Sequence, residues 1–114
     1  MGKSIKTKLS GLEYVGKDET VIVELGYYGN NTLALRITDE IGEAVSSPTV
    51  NLESEGETPK EGHVFVKDYS ENEGIYRALA GAGILGEAVR TVAFGVYDAT
   101  AIEAPIIHPD LIPD

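Results

Sequence analysis

Alternating apolar and polar positions predict that much of the chain forms β-strands. Residues 20–28 are rich in β-branched and aromatic side chains, and residues 32–38 alternate so that two leucines and an isoleucine share one face. Gly29, Asn30 and Asn31 separate the two segments, and these residue types readily supply the positive φ values of a tight turn. The pattern therefore predicts a β-hairpin with one buried face.

Four further segments have the composition of strands, and one of them is interrupted. They are residues 44–52, 62–67, 87–96 and 102–107. Pro48 lies inside the first of these, and proline cannot donate a hydrogen bond to a neighbouring strand. We therefore expect residues 44–52 at a sheet edge or at a bulge.

A short helix is predicted after the strand at 62–67. Ser70 and Glu73 have the spacing of a capping box, in which each side chain bonds the other residue's amide. The residues that follow place apolar side chains on one face, namely Ile75, Ala78, Leu79 and Ala82. The Gly-Ala-Gly run at 81–83 is expected to end the helix after about three turns.

Together these elements predict an α+β fold, an antiparallel β meander of four to five strands with one short helix packed on a face. The length of 114 residues and the 42% hydrophobic content suit a single domain over residues 1–114. Lysines concentrate in the first ten residues, so we expect a flexible basic N-terminal arm over about 1–10. The Pro-rich tail, about 108–114, is expected to fray.

The charge balance argues against several kinds of partner. Nine basic and 19 acidic residues give a formal net charge of −10, whereas proteins that bind nucleic acid cluster lysine and arginine against phosphates. The apolar runs fall far short of the roughly 20 residues that span a bilayer, and the first residues lack the apolar core of a signal peptide. We therefore expect a cytoplasmic protein with no direct nucleic acid or membrane contact. The absence of cysteine excludes disulfides and thiolate chemistry.

Acidic residues and tyrosines are the candidate partner-binding positions. Between residues 37 and 63, the sequence has seven acidic residues and a single cation, Lys60. An acidic surface attracts a basic protein partner. Tyr27 and Tyr28 are adjacent on a strand, so their rings point to opposite faces and one is expected to be exposed. The candidate set is Tyr27, Tyr28, Asp39, Glu40, Glu43, Glu53, Glu55, Glu57, Lys67, Asp68, Tyr69 and Asn72.

Neither catalysis nor metal binding is predicted. His63 and His108 are the two histidines, and their neighbours lack the spacing of zinc ligands. Nothing in the sequence places a nucleophilic serine beside either of them. Glu71 and Glu73 occupy the predicted helix start, where they would repel an anion. We therefore expect no enzyme activity, no catalytic residue, no metal site and no cofactor.

Several stretches of the chain resemble a family of small bacterial proteins that contain a domain of unknown function. The stretches are residues 32–37 (TLALRI), 49–52 (TVNL), 64–74 (VFVKDYSENEG) and 82–85 (AGIL). The resemblance covers about residues 20–97, and its most specific part is the block 67–74, whereas residues 99–114 depart from the pattern. Members of this family are carried by plasmids, phages and integrated elements. The resemblance implies a mobile-element accessory protein and supplies no activity, cofactor or catalytic residue.

Three functions are consistent with these features. The preferred hypothesis is a non-catalytic accessory protein whose acidic surface binds a basic protein, for example to inhibit a nucleic-acid-handling host defence enzyme. The alternative is a protein that binds or sequesters a small ligand or nucleotide in a tyrosine-lined pocket between helix and sheet. A structural role in a virion or a conjugation apparatus is the third, and homo-oligomerisation stays open.

Overall fold

A computed structural model describes residues 3–9, 20–68, 74–95 and 99–112. Within these ranges the chain forms seven strands, one α-helix and one short 3-10 helix. In chain order these are β1 (Ser4–Lys8), β2 (Thr20–Tyr27), β3 (Leu33–Thr38), β4 (Ala44–Ser46), the 3-10 helix (Glu53–Glu55), β5 (His63–Lys67), α1 (Ile75–Gly81), β6 (Arg90–Phe94) and β7 (Ala99–Pro105).

The strands form two antiparallel sheets. The first is a meander in the order β1-β2-β3-β4, and the second has the order β5-β7-β6. This arrangement confirms the α+β class with an antiparallel meander, although the described strands number seven rather than four or five. The β2–β3 hairpin is also as predicted, because Asn31 has a φ of 65° and Tyr28 N–H donates to the Thr32 carbonyl at 2.9 Å.

The lysine-rich segment near the N-terminus belongs to the first sheet. Strand β1 pairs with β2 in a register that sets Lys6 opposite Ile22. Its lysines are exposed while Ile5 and Thr7 are half-buried, and Leu9 is buried directly after the strand. The structure therefore places residues 4–8 in a sheet rather than in a free arm, because alternation leaves the charges in solvent while the backbone pairs.

The segment after β7 is also attached to the fold. Leu111 is fully buried and belongs to the main core. Lys3 Nζ donates to the Ile112 carbonyl at 2.6 Å, which joins this segment to the residues that precede β1. The frayed tail expected from its prolines is thus packed as far as the structure describes it.

The main core lies between the first sheet, one face of the second sheet, and α1. It contains the inward residues of these elements, among them Val23, Leu35, Ile37, Val64, Val66, Ile75 and Leu79. A smaller cluster on the opposite face of the second sheet contains Leu52, Phe65, Val92 and Ala101. The second sheet is therefore covered on both faces, and the loop between β4 and β5 covers the smaller cluster.

Helix α1 is shorter than predicted and begins differently. It starts at Ile75 with Gly74 as its N-cap, at a φ of 89°. The Asp68 carboxylate accepts hydrogen bonds from Gly74 N–H at 2.9 Å and Tyr76 N–H at 3.0 Å. Asp68 therefore satisfies the helix start, and the predicted capping residues Ser70 and Glu73 lie outside the described residues.

The predicted apolar face and the end of α1 are confirmed. Ile75, Ala78 and Leu79 are buried. Gly83 has a φ of 77°, and the Ile84 N–H donates back to the Leu79 carbonyl at 3.0 Å. Glycine suits this left-handed position because it has no Cβ.

Candidate functional site

The candidate acidic residues fall into two groups at opposite ends of β3. Residues 39–43, which we call the acidic turn, follow β3 directly and connect it to β4. Residues 53–61, the acidic loop, begin beside the β2–β3 turn, where Asn30 Nδ2 donates to Asn51 Oδ1 at 3.4 Å. A six-residue strand spans about 20 Å, so the two groups do not form one continuous face.

Hydrogen bonds hold the acidic turn in one conformation. Asp39 Oδ1 accepts from Ile41 N–H at 3.0 Å and from Glu43 N–H at 2.9 Å. The Asp39 N–H donates to the Glu43 carbonyl at 2.9 Å, and Gly42 adopts a φ of 91°. Asp39, predicted to contact a partner, therefore shapes the turn, while the side chains of Glu40 and Glu43 are exposed.

The tip of the acidic turn carries an exposed isoleucine that sequence reasoning missed. Ile41 is 81% exposed, the highest value among the exposed large hydrophobic residues of the described chain. It lies between the exposed side chains of Glu40 and Glu43. Its signal in the sequence was a single large apolar residue inside an otherwise charged turn.

Two of the three candidate residues in the acidic loop have structural partners. Glu55 Oε1 accepts from Gly95 N–H at 2.9 Å, and Glu57 Oε1 accepts from Arg90 Nη1 at 3.0 Å. These bonds attach the loop to β6 and the residue that follows it. Glu53 is exposed, with its own N–H bonded to Asn51 Oδ1 at 3.2 Å. The loop is therefore less available to a partner than its charge suggested.

A buried carboxylate underlies the acidic loop. Glu103 is 0% exposed, and Arg90 Nε donates to its Oε1 at 2.6 Å while Lys60 N–H donates to its Oε2 at 3.0 Å. Burial alone would raise the pKa of Glu103, but the hydrogen bonds from Arg90 and Lys60 outweigh burial and lower it. Glu103 is thus an ionised anchor for the loop that precedes β5.

Arg90 completes this anchor. Its Nη2 donates to the Thr58 carbonyl at 3.1 Å, and its guanidinium lies 5.3 Å from the centre of the Phe65 ring. Hydrogen bonds to Glu103 and Glu57 raise the pKa of Arg90. Sequence reasoning missed the pair, because Arg90 and Glu103 become neighbours only through the β6–β7 register.

His63 lies at the edge of this buried cluster. Its Nδ1 is 2.9 Å from Glu103 Oε2. The contact does not meet the geometry of a hydrogen bond, and Nδ1 is buried without another partner among the described residues. We therefore treat it as a close electrostatic contact, with the imidazole placed between Glu103 and the groove described next.

The two adjacent tyrosines point to different environments, as predicted. Tyr27 is 59% exposed, whereas Tyr28 is half-buried with its hydroxyl 2.9 Å from Thr49 Oγ1. Burial raises the pKa of Tyr28, against the smaller opposite effect of the Thr49 hydrogen bond. Tyr27 is therefore the tyrosine of this pair that is available to a partner.

Tyr27 lines a half-open groove between the β2–β3 hairpin and the end of the acidic loop. Its volume is about 390 Å³, and its lining is Tyr27, Asn31, Thr32, Leu33, Pro59, Lys60, Glu61, Gly62 and His63. The tyrosine-lined pocket of the alternative hypothesis was expected between the helix and a sheet. The groove lies instead between a hairpin and a loop, and Tyr27 is the one tyrosine in its lining.

The remaining candidates precede α1. Asp68 has a structural role, because it accepts the Gly74 and Tyr76 N–H groups at the start of α1. Lys67 is half-buried on β5, where its N–H donates to the Pro48 carbonyl at 2.7 Å. Tyr69 and Asn72 lie outside the described residues. The two described residues of this group, Lys67 and Asp68, therefore make contacts within the fold.

The described ranges contain no cluster of metal ligands. In them, no group of three or more histidine, aspartate or glutamate side chains is placed to hold a metal ion. No helix in those ranges combines the length and apolar content needed to cross a bilayer. Comparison of the chain with protein-family models, with curated proteins and with solved structures finds no match.

Proposed function

We propose that this protein is a non-catalytic accessory factor that binds a basic protein partner through the acidic turn. The observation that carries the proposal is the 81% exposure of Ile41 between Glu40 and Glu43. When a partner covers this exposed apolar side chain and removes it from water, the free energy of the complex is lowered. The two glutamates supply charge on either side of this anchor.

The rigidity of the acidic turn supports this role. The Asp39 side chain already accepts two backbone hydrogen bonds of the turn, so a partner would not have to order it. A preorganised loop binds more tightly than a flexible one because less entropy is lost on association. The expected contact is an apolar socket for Ile41, surrounded by lysine or arginine side chains that meet Glu40 and Glu43.

The net charge suggests the kind of partner. At −10 the chain attracts proteins with strongly basic surfaces and speeds their encounter. Enzymes that handle nucleic acids have such surfaces, and an acidic protein bound there would compete with the phosphate backbone. The family resemblance of the 67–74 block motivates a role for a bacterial mobile element or phage, in the cytoplasm, against a defence enzyme of this class.

The proposal is tested by affinity capture from bacterial lysate at low and high salt. We expect a captured basic protein that is lost at high salt. Ile41→Ser should abolish capture, and Glu40→Gln with Glu43→Gln should weaken it. Val89→Ser, which alters another exposed apolar side chain, and Glu53→Gln are the matched controls and should retain capture. Two results would contradict the proposal. One is capture that persists in Ile41→Ser, and the other is a loss of capture in the two control variants as large as the loss in Ile41→Ser.

A further inference from the structure

We propose that the protein forms a symmetric dimer, in which the outer edge of β6 pairs antiparallel with β6 of a second copy of the chain. This surface is separate from the acidic turn and goes beyond the function proposed above. Three features of β6 support the pairing: the direction of its backbone, the lack of a described segment beside it, and the charges at the two ends of its open edge.

The hydrogen bonds of β7, the central strand of the second sheet, alternate between its two neighbours. Ile106, directly after β7, donates its N–H to the carbonyl of Gly62, directly before β5, at 3.0 Å. On the other side, Val89 N–H donates to the Glu103 carbonyl at 2.8 Å. Because consecutive residues of a strand bond to opposite sides, even-numbered residues of β7 bond toward β5 and odd-numbered residues bond toward β6.

The same alternation gives the direction of the β6 backbone. The β6 residues opposite the odd-numbered residues of β7 are Arg90, Val92 and Phe94, and these bond to β7. The N–H and carbonyl groups of Thr91 and Ala93 therefore point away from the sheet. Gly95 is the next residue with this direction, and its N–H accordingly donates to Glu55 Oε1 of the acidic loop.

The outer edge of β6 is open among the described residues. β6 is the last strand of its sheet. No described residue bonds the outward groups of Thr91 or Ala93, and both side chains are exposed. Two other edge strands are protected, because residues 48–50 run beside β5 and β1 carries exposed lysines. Covering segments and charged side chains are the usual protection of an edge, and β6 has neither at Thr91 and Ala93.

The acidic loop contacts β6 without occupying this edge. Arg90 Nη2 donates to the Thr58 carbonyl, and Glu55 accepts from Gly95 N–H. Each contact involves a side chain, and no backbone-to-backbone hydrogen bond joins the described loop to β6. The segment between β4 and β5 instead covers the smaller cluster on one face of this sheet. A further strand can therefore be added beside β6.

The closed ends of the edge determine the register of the dimer. A carboxylate of the acidic loop already bonds Gly95 N–H, and β7 already bonds Val89 N–H, so neither group is available to a second strand. The antiparallel register that uses only the open residues sets Thr91 of each copy opposite Ala93 of the other. This register has its two-fold axis at Val92 and bonds all the outward groups of both open residues. A second copy therefore matches the edge, because its own β6 is open over the same length.

The charges at the two ends of the edge are complementary under this symmetry. The exposed Arg90 lies at one end, and the Glu55 carboxylate lies at the other, beside Gly95. A two-fold axis brings each end next to the opposite end of the second copy, so Arg90 approaches Glu55 of the other copy. The net charge of −10 on each chain opposes association at longer range. Because salt screens that repulsion, we expect the dimer to be favoured at high salt.

The proposal is tested by sedimentation velocity over a concentration series that reaches millimolar protein, at low and at high salt. We expect a monomer–dimer equilibrium that shifts toward the dimer at high salt. Ala93→Pro should weaken the dimer at least tenfold, because proline removes an outward N–H that the β6–β7 ladder does not use. Ala93→Ser keeps this N–H and is the matched control. Thr91→Pro removes the other outward N–H, and circular dichroism checks that each variant is folded.

Two further measurements locate the contact. Hydrogen exchange at Thr91 and Ala93 should slow as the protein concentration rises. Glu55→Gln keeps an oxygen for Gly95 N–H but loses the charge, so it should weaken the dimer several-fold relative to Glu53→Gln, which changes the net charge equally. Equal dissociation constants for these two variants would contradict the two-fold orientation.

The outcomes are distinguishable from those at the acidic turn. Ile41→Ser should leave the dimer unchanged, and high salt should favour the dimer while it weakens capture of a basic partner. A monomer at every concentration and salt, a dimer that persists in folded Ala93→Pro and Thr91→Pro, or hydrogen exchange at Thr91 and Ala93 that does not depend on concentration would each overturn the proposal.

Discussion

Arg90 donates its Nε–H to the Glu103 carboxylate at 2.6 Å, in an ion pair whose acid is completely buried while its base is 41% exposed. The pair joins β6 to β7 and also holds the loop that forms one wall of the groove. The position of this wall therefore depends on a buried charge that lies beneath it.

Arg90→Met should destabilise the protein by leaving Glu103 buried without its cation. We expect a loss of about 3 kcal/mol, at the low end for breaking a buried pair, because the exposed guanidinium is partly solvated. Urea unfolding measures the loss. Arg77→Met on the exposed side of α1 should change stability by less than about 0.5 kcal/mol. Replacing both Arg90 and Glu103 by methionine should recover much of the loss, and equal loss in the single and double variants would contradict this account.

The lowered pKa of Glu103 predicts a contribution to acid sensitivity. Its pKa is lowered in the folded protein from an ordinary value of 4.5, so folding favours the ionised form. This stabilisation is fully present above the unfolded pKa and is lost as the pH falls through the folded pKa. Between pH 6 and pH 3, wild-type protein should lose more free energy of unfolding than Glu103→Gln. Glu61→Gln, an exposed change, should follow the wild type, and parallel curves for wild type and Glu103→Gln would count against the prediction.

Asp68→Ala should weaken the start of α1. The carboxylate accepts two backbone N–H groups at the helix start, and loss of a side chain that satisfies such amides costs about 0.5–2 kcal/mol. A fall of several degrees in Tm is expected for a domain of this size, measurable by circular dichroism. Glu87→Ala, at an exposed acid after the helix, is the control and should leave Tm nearly unchanged. An unchanged Tm for Asp68→Ala would show that water replaces the cap.

Thr49→Val should leave a buried amide without a partner. Thr49 is 3% exposed, and its hydroxyl accepts the Leu35 N–H while contacting the Tyr28 hydroxyl. An unsatisfied buried donor costs about 1–3 kcal/mol. The exposed Thr58→Val provides a control with the same change of side chain. Urea unfolding should separate the two variants, and similar stabilities would mean that Thr49 Oγ1 does not satisfy Leu35.

Gly86→Ala should strain the contact between the segment after α1 and the end of β7. A Cβ at residue 86 would meet Ile107 Cγ2 and Pro105 Cγ, each at 3.0 Å. The proline ring cannot rotate away, so we expect a destabilisation of about 1 kcal/mol. Gly26→Ala is the matched control, because a Cβ there meets nothing within 4 Å. Thermal unfolding compares the two, and equal Tm values would show that Ile107 and Pro105 shift freely.

Local pattern was sufficient for some elements of the fold and insufficient for others. The alternation of Leu33, Leu35 and Ile37 predicts a half-buried strand, and the stripe through Ile75 and Leu79 predicts the buried face of α1. Both predictions depend only on residues that are a few positions apart in the sequence. Strand β1 was missed because its lysines suggested an arm, although alternate positions already carried Ile5 and Thr7.

The candidate sites depended on contacts that no local pattern contains. The acidic residues lie in one acid-rich stretch of the sequence, yet in the structure β3 separates the acidic turn from the acidic loop. Glu103 occupies a strand position at which a carboxylate would normally face solvent, and only the register with Arg90 explains its burial.

The burial of Leu111 has a consequence for how the molecule folds. Leu9 and Leu111 belong to one core, so residues about a hundred positions apart must meet before it closes. During synthesis, β1, β2 and β3 are made before the elements that cover their apolar faces, and Leu111 is added last of the core residues. Contacts between such distant residues slow folding, and an uncovered sheet invites association. Substitution of Leu111 should therefore slow the last step of folding, in which the two ends of the chain complete one core.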